Sequence, residues 1–90
     1  MNRNKTVSLA RIARQARGYT LDQVARLSGI CRSHIYFIEL GKQDDVPAVA
    51  VQAVAAVLGL DRPGDVWLQV PIAAMIRIAD ELRTTLIKGE

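Results

Sequence analysis

Residues 20–39, TLDQVARLSGICRSHIYFIE, encode two short amphipathic helices separated by a tight turn. Thr20 is a favourable N-cap, and Gln23 lies three residues later, which is the spacing of a capping box. Gly29 predicts the end of the first helix, and the second is expected to begin after Cys31. Two short helices joined by a turn that contains glycine form a helix-turn-helix unit.

The crossing of these two helices requires particular residue types, and the chain has them. Ala25 is small at the position where the helices cross, while Ile30 and Ile35 are apolar and would lock the crossing angle. In such a unit the first helix braces against the DNA backbone and the second projects its outer side into the major groove. The stretch therefore predicts a DNA-binding function.

The charge of the chain is concentrated at its start. The 90 residues carry a net charge of +3, but residues 1–32 hold seven basic residues and one acid, whereas residues 61–90 hold four basic residues and five acids. A basic front half favours a polyanionic partner. With one cysteine and one histidine, we expect no disulfide, no metal site and no cofactor.

The apolar tail is not predicted to cross a membrane. Its most apolar part, residues 66–87, is interrupted by Arg77, Asp80, Glu81 and Arg83. The start of the chain lacks the apolar run of a signal peptide. We therefore expect a cytoplasmic protein without a membrane partner.

The remaining elements are also helical in pattern, so the predicted class is all-α. A first helix is expected over roughly residues 6–17, a fourth near Pro47 to Gly59, and a last one from Pro71 to about residue 88. Residues 61–64, DRPG, form a turn cluster. We place the domain boundary there, with a DNA-binding domain over residues 1–60 and a helical extension over residues 61–90.

The extension carries apolar residues at near-heptad spacing, which favours pairing of two chains. The predicted dimer interface consists of Ile72, Met75, Ile76, Ala79, Leu82 and Leu86. The alternative is that this stripe folds back onto its own domain.

A larger set of positions resembles the Cro/C1-type (XRE-like) helix-turn-helix family of phage and bacterial regulators, over roughly residues 9–60. The matching positions are Arg14, Gly18, Thr20, Val24, Ala25, Gly29, Ile30, Ile35, Glu39, Gly41, Pro47, Val51, Val54, Leu58 and Gly59. The resemblance implies a compact five-helix, lambda-repressor-like DNA-binding domain, to which the tail would add a C-terminal dimerisation helix.

The resemblance also implies roles for individual residues. The base-reading positions are Arg32, Ser33, Tyr36 and Phe37. The positions that contact the DNA backbone or flank the readers are Thr20, Gln23, His34 and Lys42. By their charge, and apart from the resemblance, Arg11, Arg17 and Arg26 are further candidates for phosphate contacts. Arg14 and Glu39 resemble an internal ion pair of the family. By its chemistry, Arg32 suits the O6 and N7 atoms of a guanine, and Phe37 suits a thymine methyl group.

Two features depart from the family pattern. Leu21 stands where the family usually has a glutamine that clamps a phosphate. Asp44 and Asp45 lie in a loop that is often basic, and we expect them to cap the fourth helix.

The predicted function is that of a homodimeric transcriptional repressor, bacterial or phage-encoded, that binds a short palindrome in double-stranded DNA through the helix over residues 31–40. The alternative is a protein-interaction module, such as the antitoxin of a toxin–antitoxin pair or an activator that contacts polymerase. The third hypothesis is an enzyme, and we expect that the protein is not one. Cys31 and His34 are neighbours on one helix face, but no catalytic scaffold accompanies them.

Overall fold

The computed structural model describes residues 5–88, with side chains described as far as Thr84. Leu86, assigned above to the dimer interface, lies beyond those side chains. Within this part the chain forms five α-helices, which are α1 Leu9–Ala16, α2 Leu21–Ser28, α3 Arg32–Leu40, α4 Ala48–Leu58 and α5 Met75–Lys88. Short 3₁₀ helices cover Gln43–Asp45, Pro63–Trp67 and Ile72–Ala74. The predicted all-α class is confirmed.

The helix-turn-helix unit, α2 and α3, has well-defined ends. At the start of α2, Thr20 Oγ1 accepts a hydrogen bond from the Gln23 backbone N–H at 3.1 Å, and Gln23 Oε1 accepts one from the Thr20 N–H at 2.8 Å. These two bonds form a capping box. Gly29 and Gly41 end the two helices at φ of 74° and 80°, which are left-handed values that favour glycine.

The start of α3 is capped less well than the start of α2. Cys31 occupies the N-cap position with extended backbone angles but makes no side-chain cap hydrogen bond. A serine hydroxyl at this position would accept from a free N–H of the first helical turn. We expect Cys31→Ser to raise the free energy of unfolding by about 0.5–1 kcal/mol in urea denaturation. Cys31→Ala is the control, and an equal gain from alanine would contradict the capping explanation.

The structure corrects several expected boundaries. The first helix begins at Leu9 rather than near residue 6, because Ser8 is its N-cap and accepts from the Arg11 N–H at 3.2 Å. The expectation that Asp44 and Asp45 cap the fourth helix is wrong. Both lie in the 3₁₀ helix, and Pro47 is the N-cap of α4, without a side-chain cap bond.

A two-stranded antiparallel sheet joins the two ends of the fold. Strand β1, Thr6–Ser8, pairs with strand β2, Gln69–Pro71. The pairing continues on both sides, because the Leu9 N–H donates to the Leu68 carbonyl at 2.8 Å and the Ile72 N–H donates to the Lys5 carbonyl at 3.2 Å. The sheet therefore holds the segment before α5 against the start of α1.

The hydrophobic core brings all of these elements together. Val24 of α2, Ile35 of α3 and Val54 of α4 are almost fully buried. Val66, which follows the expected domain boundary, is fully buried in the same core, and Leu82 of α5 is partly buried against it. Burial of apolar surface therefore also attaches the tail to the DNA-binding helices.

Candidate nucleic-acid interface

Helix α3 divides into a buried face and an exposed face. Ile35 and Ile38 are buried, with 1% and 0% of their surface exposed. Arg32, Ser33 and Tyr36 are exposed on the opposite side, because residues separated by three and by four positions lie on the same helix face. Three of the four predicted base-reading side chains are thus accessible at the start of α3.

The fourth predicted base reader, Phe37, lies deeper. Its side chain is partly buried and packs against the hydrophobic core. The Phe37 ring is tilted against the Tyr36 ring, with their centroids 6.4 Å apart. His34, predicted as a flanking residue, is also half-buried. Phe37 therefore packs against the exposed ring of Tyr36, in addition to any contact that Phe37 itself makes with DNA.

Arg14 and Glu39 form a bidentate ion pair that fixes α3 to α1. Arg14 Nε lies 2.6 Å from Glu39 Oε2, and Arg14 Nη2 lies 3.1 Å from Glu39 Oε1. Arg14 Nη1 also donates to the Tyr19 carbonyl at 2.9 Å, just before α2. The two side chains are only 14% and 9% exposed. One guanidinium therefore connects α1, α3 and the start of α2.

Gln23 keeps a free donor despite its part in the capping box. Its Oε1 atom accepts from Thr20, which turns the amide Nε2 away from the cap. Within the described part of the chain, no hydrogen bond involves Nε2. An amide donor beside a helix N-terminus suits a phosphate oxygen.

The other predicted backbone contacts fall into two groups. Arg11 and Lys42 are exposed, and neither forms an ion pair with another described residue. Arg17 is instead engaged within the fold, because its Nε donates to the Leu58 carbonyl at 3.2 Å. Its guanidinium also occupies the space that a Cβ atom on Gly59 would need. Arg17 thus caps the C-terminal end of α4.

Two residues that the sequence did not assign to the site lie beside Arg32. Asp22 Oδ1 is 3.6 Å from Arg32 Nε, and both side chains are largely exposed. Leu21, together with Arg32, Ser33 and Tyr36, lines a depression of about 280 Å³ between the starts of α2 and α3. The available signal was positional, because two short helices that cross at about 90–120° after a tight turn can place their starts on one side of the unit.

The apolar stripe of the tail is divided between two faces of the structure. α5 packs along α1. Leu82 contacts the core, and Met75 and Ala79 are partly buried. Ile72 and Ile76 remain 46% and 77% exposed. Only part of the predicted dimer interface is therefore accessible in the single chain.

The described residues contain neither a metal-binding cluster nor a membrane-spanning helix. Across residues 5–88, no three His, Cys, Asp or Glu side chains lie close enough together to hold a metal ion. In the same range, no helix has the length and apolar character needed to cross a membrane.

These features define a helix-turn-helix protein in which the start of α3 is exposed and partly basic. Residues 8–65, more than half of the chain, match the helix-turn-helix domain family, and the chain belongs to that family. This agrees with the resemblance to Cro/C1-type regulators, and it makes the protein a DNA-binding regulator by class. No curated protein and no solved structure gives a significant match.

Proposed function

We propose that the protein is a sequence-specific transcriptional repressor that binds a short palindromic operator as a homodimer, in the cytoplasm of a bacterial cell. The observation that carries this proposal is the exposure of Arg32, Ser33 and Tyr36 on a helix whose orientation is fixed by the Arg14–Glu39 ion pair. A rigidly held helix with polar, accessible residues at its start suits reading of base edges.

In the proposed complex the start of α3 lies in the major groove. Arg32 donates to guanine O6 and N7, and Ser33 and Tyr36 contact neighbouring base edges. Gln23 Nε2, Arg11, Arg26 and Lys42 bind phosphates, which positions the protein without reading sequence. Repression follows if the operator overlaps a promoter, because the bound protein then blocks polymerase.

The proposed homodimer contact lies on the exposed face of α5 and of the 3₁₀ helix before it. One helix-turn-helix unit reads only part of a helical turn, whereas two units related by a two-fold axis read half-sites about 34 Å apart. Ile72 and Ile76 supply apolar surface for this contact, and the Arg77–Glu81 and Arg83–Asp80 pairs flank it. An antitoxin tail is less well supported, because α5 is already folded against α1.

The test is fluorescence anisotropy with DNA from the region upstream of the protein's own gene, with scrambled DNA as control. A preference of roughly a thousandfold or more, with one dimer bound per site, would support the proposal. Weak binding that is equal on both DNAs and lost with added salt would reflect counterion release alone. That result would contradict sequence-specific regulation of this region.

We expect Arg32→Ala to weaken operator binding by about 1–3 kcal/mol and to relax the preference at one base pair in each half-site. The reason is the loss of a bidentate contact to guanine. Binding-site selection with the variant would measure the relaxed position. Arg26→Ala is the matched control, since loss of a phosphate contact weakens binding to all sequences equally and lowers the salt slope by about one. A uniform loss with Arg32→Ala would show that Arg32 contacts only phosphate.

A further inference from the structure

We infer that the depression between α2 and α3 takes the methyl group of a thymine, so that Leu21, Tyr36 and Arg32 together read a thymine followed by a guanine. The inference rests on the proposed function and specifies a two-base sequence within the operator. Asp22 is the positioning residue that holds Arg32 for this contact.

The first support is the composition of the depression. Its walls are the Leu21 side chain, the Tyr36 ring, Ser33 and the Arg32 side chain. Leu21 is the first residue of α2 and is partly buried against the core, so its position is well determined. An apolar hollow on a surface that otherwise contacts polar DNA needs an apolar group to fill it. The major groove offers one such group, the C5 methyl of thymine.

The second support is the pairing of Arg32 with Asp22. Asp22 Oδ1 lies nearest to Arg32 Nε, at 3.6 Å. Neither Nη1 nor Nη2 of Arg32 has a hydrogen-bond partner among the described residues, so both can donate to guanine O6 and N7. The Asp22 carboxylate also repels phosphates. Arg32 is therefore directed to a base rather than to the backbone.

The third support is the geometry of the DNA itself. In the major groove of B-DNA, the C5 position of a pyrimidine lies beside the N7 edge of the purine that follows it. An arginine bound to that guanine thus has the preceding methyl group against its own side chain. In this protein, that place is the depression that Arg32 shares with Leu21 and Tyr36. A cytosine would leave the hollow unfilled, whereas 5-methylcytosine would fill it as thymine does.

The test begins with the wild-type protein and two randomised duplex libraries, one with thymine and one with deoxyuridine in its place. We expect sites selected from the first library to contain thymine before the guanine. Sites from the second library should keep the guanine and lose the preference for the preceding base. In anisotropy, exchanging this thymine for deoxyuridine in a selected duplex should weaken binding about fourfold per half-site, the effect of removing one buried methyl group.

Variants of the protein would show which residues produce the preference for thymine over deoxyuridine. Leu21→Ala should bind the thymine and deoxyuridine duplexes with nearly equal affinity while still preferring guanine. Leu27→Ala, which alters an exposed leucine on the same helix, should keep the fourfold difference. Asp22→Asn should weaken the guanine preference and strengthen binding to unrelated DNA, because a repulsive charge is lost.

The possible failures are distinguishable. If neither library yields enriched sequences, the proposed sequence-specific function is wrong. If sequences are enriched but the wild-type protein binds thymine and deoxyuridine duplexes equally, the protein still binds DNA sequence-specifically. In that case, the inference that the depression reads a methyl group is wrong.

Discussion

Replacing Glu39 with alanine should lower the free energy of unfolding by about 3–5 kcal/mol. The substitution removes both partners of the Arg14 Nε and Nη2 atoms and leaves a nearly buried guanidinium with only the Tyr19 carbonyl. Leaving a charge uncompensated inside a protein is costly because water cannot solvate it there. For a domain of this size, such a loss lowers the melting temperature by at least about 12 °C. Urea and thermal denaturation would measure both quantities.

Asp80→Ala is the matched control for this experiment. It also removes the acid from an Arg–carboxylate pair, with Arg83 Nη1 2.9 Å from Asp80 Oδ1, but both of these side chains are more than half exposed. An exposed pair contributes less than about 1 kcal/mol. Replacing Arg14 and Glu39 together by Met and Leu should recover much of the loss, since no buried charge remains. Equal costs for Glu39→Ala and Asp80→Ala would contradict a structural role for the buried pair.

The second large effect is expected from Ile76→Asp, which should convert the dimer into a monomer and weaken operator binding at least a hundredfold. Each monomer would then hold a single half-site, so affinity falls toward the non-specific level. Because Ile76 is 77% exposed, the change should alter the stability of the single chain by no more than about 0.5 kcal/mol. Sedimentation equilibrium and anisotropy on the same samples would measure assembly and binding.

Ile76 is the most exposed residue of the predicted interface among the described side chains. Met75 belongs to the same predicted interface but is partly buried, so an aspartate there would also disturb the packing of α5. Val49→Asp is the control, because it also replaces an exposed β-branched aliphatic residue with aspartate, and Val49 is 67% exposed on α4. A dimer that survives Ile76→Asp would place the interface on another surface.

The features that the sequence predicted well depend on interactions between near neighbours. The capping box of Thr20 and Gln23 joins residues three positions apart, and the stops at Gly29 and Gly41 follow from their own backbone angles. The Arg14–Glu39 pair spans a longer distance and was accessible only through the resemblance to a known family.

The features that the sequence did not predict depend on contacts between distant residues. Strands β1 and β2 have three residues each, and 60 residues separate them, so they leave no periodic pattern to detect. The sequence did not predict the burial of Val66, because the turn cluster before it has the composition of a linker. Arg17 was assigned to DNA by its charge, but its neighbour in space is the end of α4, which charge does not reveal.

The β1–β2 sheet has a consequence for the choice of operator. It ties α5 to the body that carries α3, so the two reading helices of the proposed dimer would stand at one separation and one angle. A flexible tether would let affinity decline gradually as the spacer between half-sites lengthens. Here each added base pair turns one half-site by about 35° around the duplex. The protein should therefore bind tightly only to operators whose two half-sites are separated by one particular spacer length.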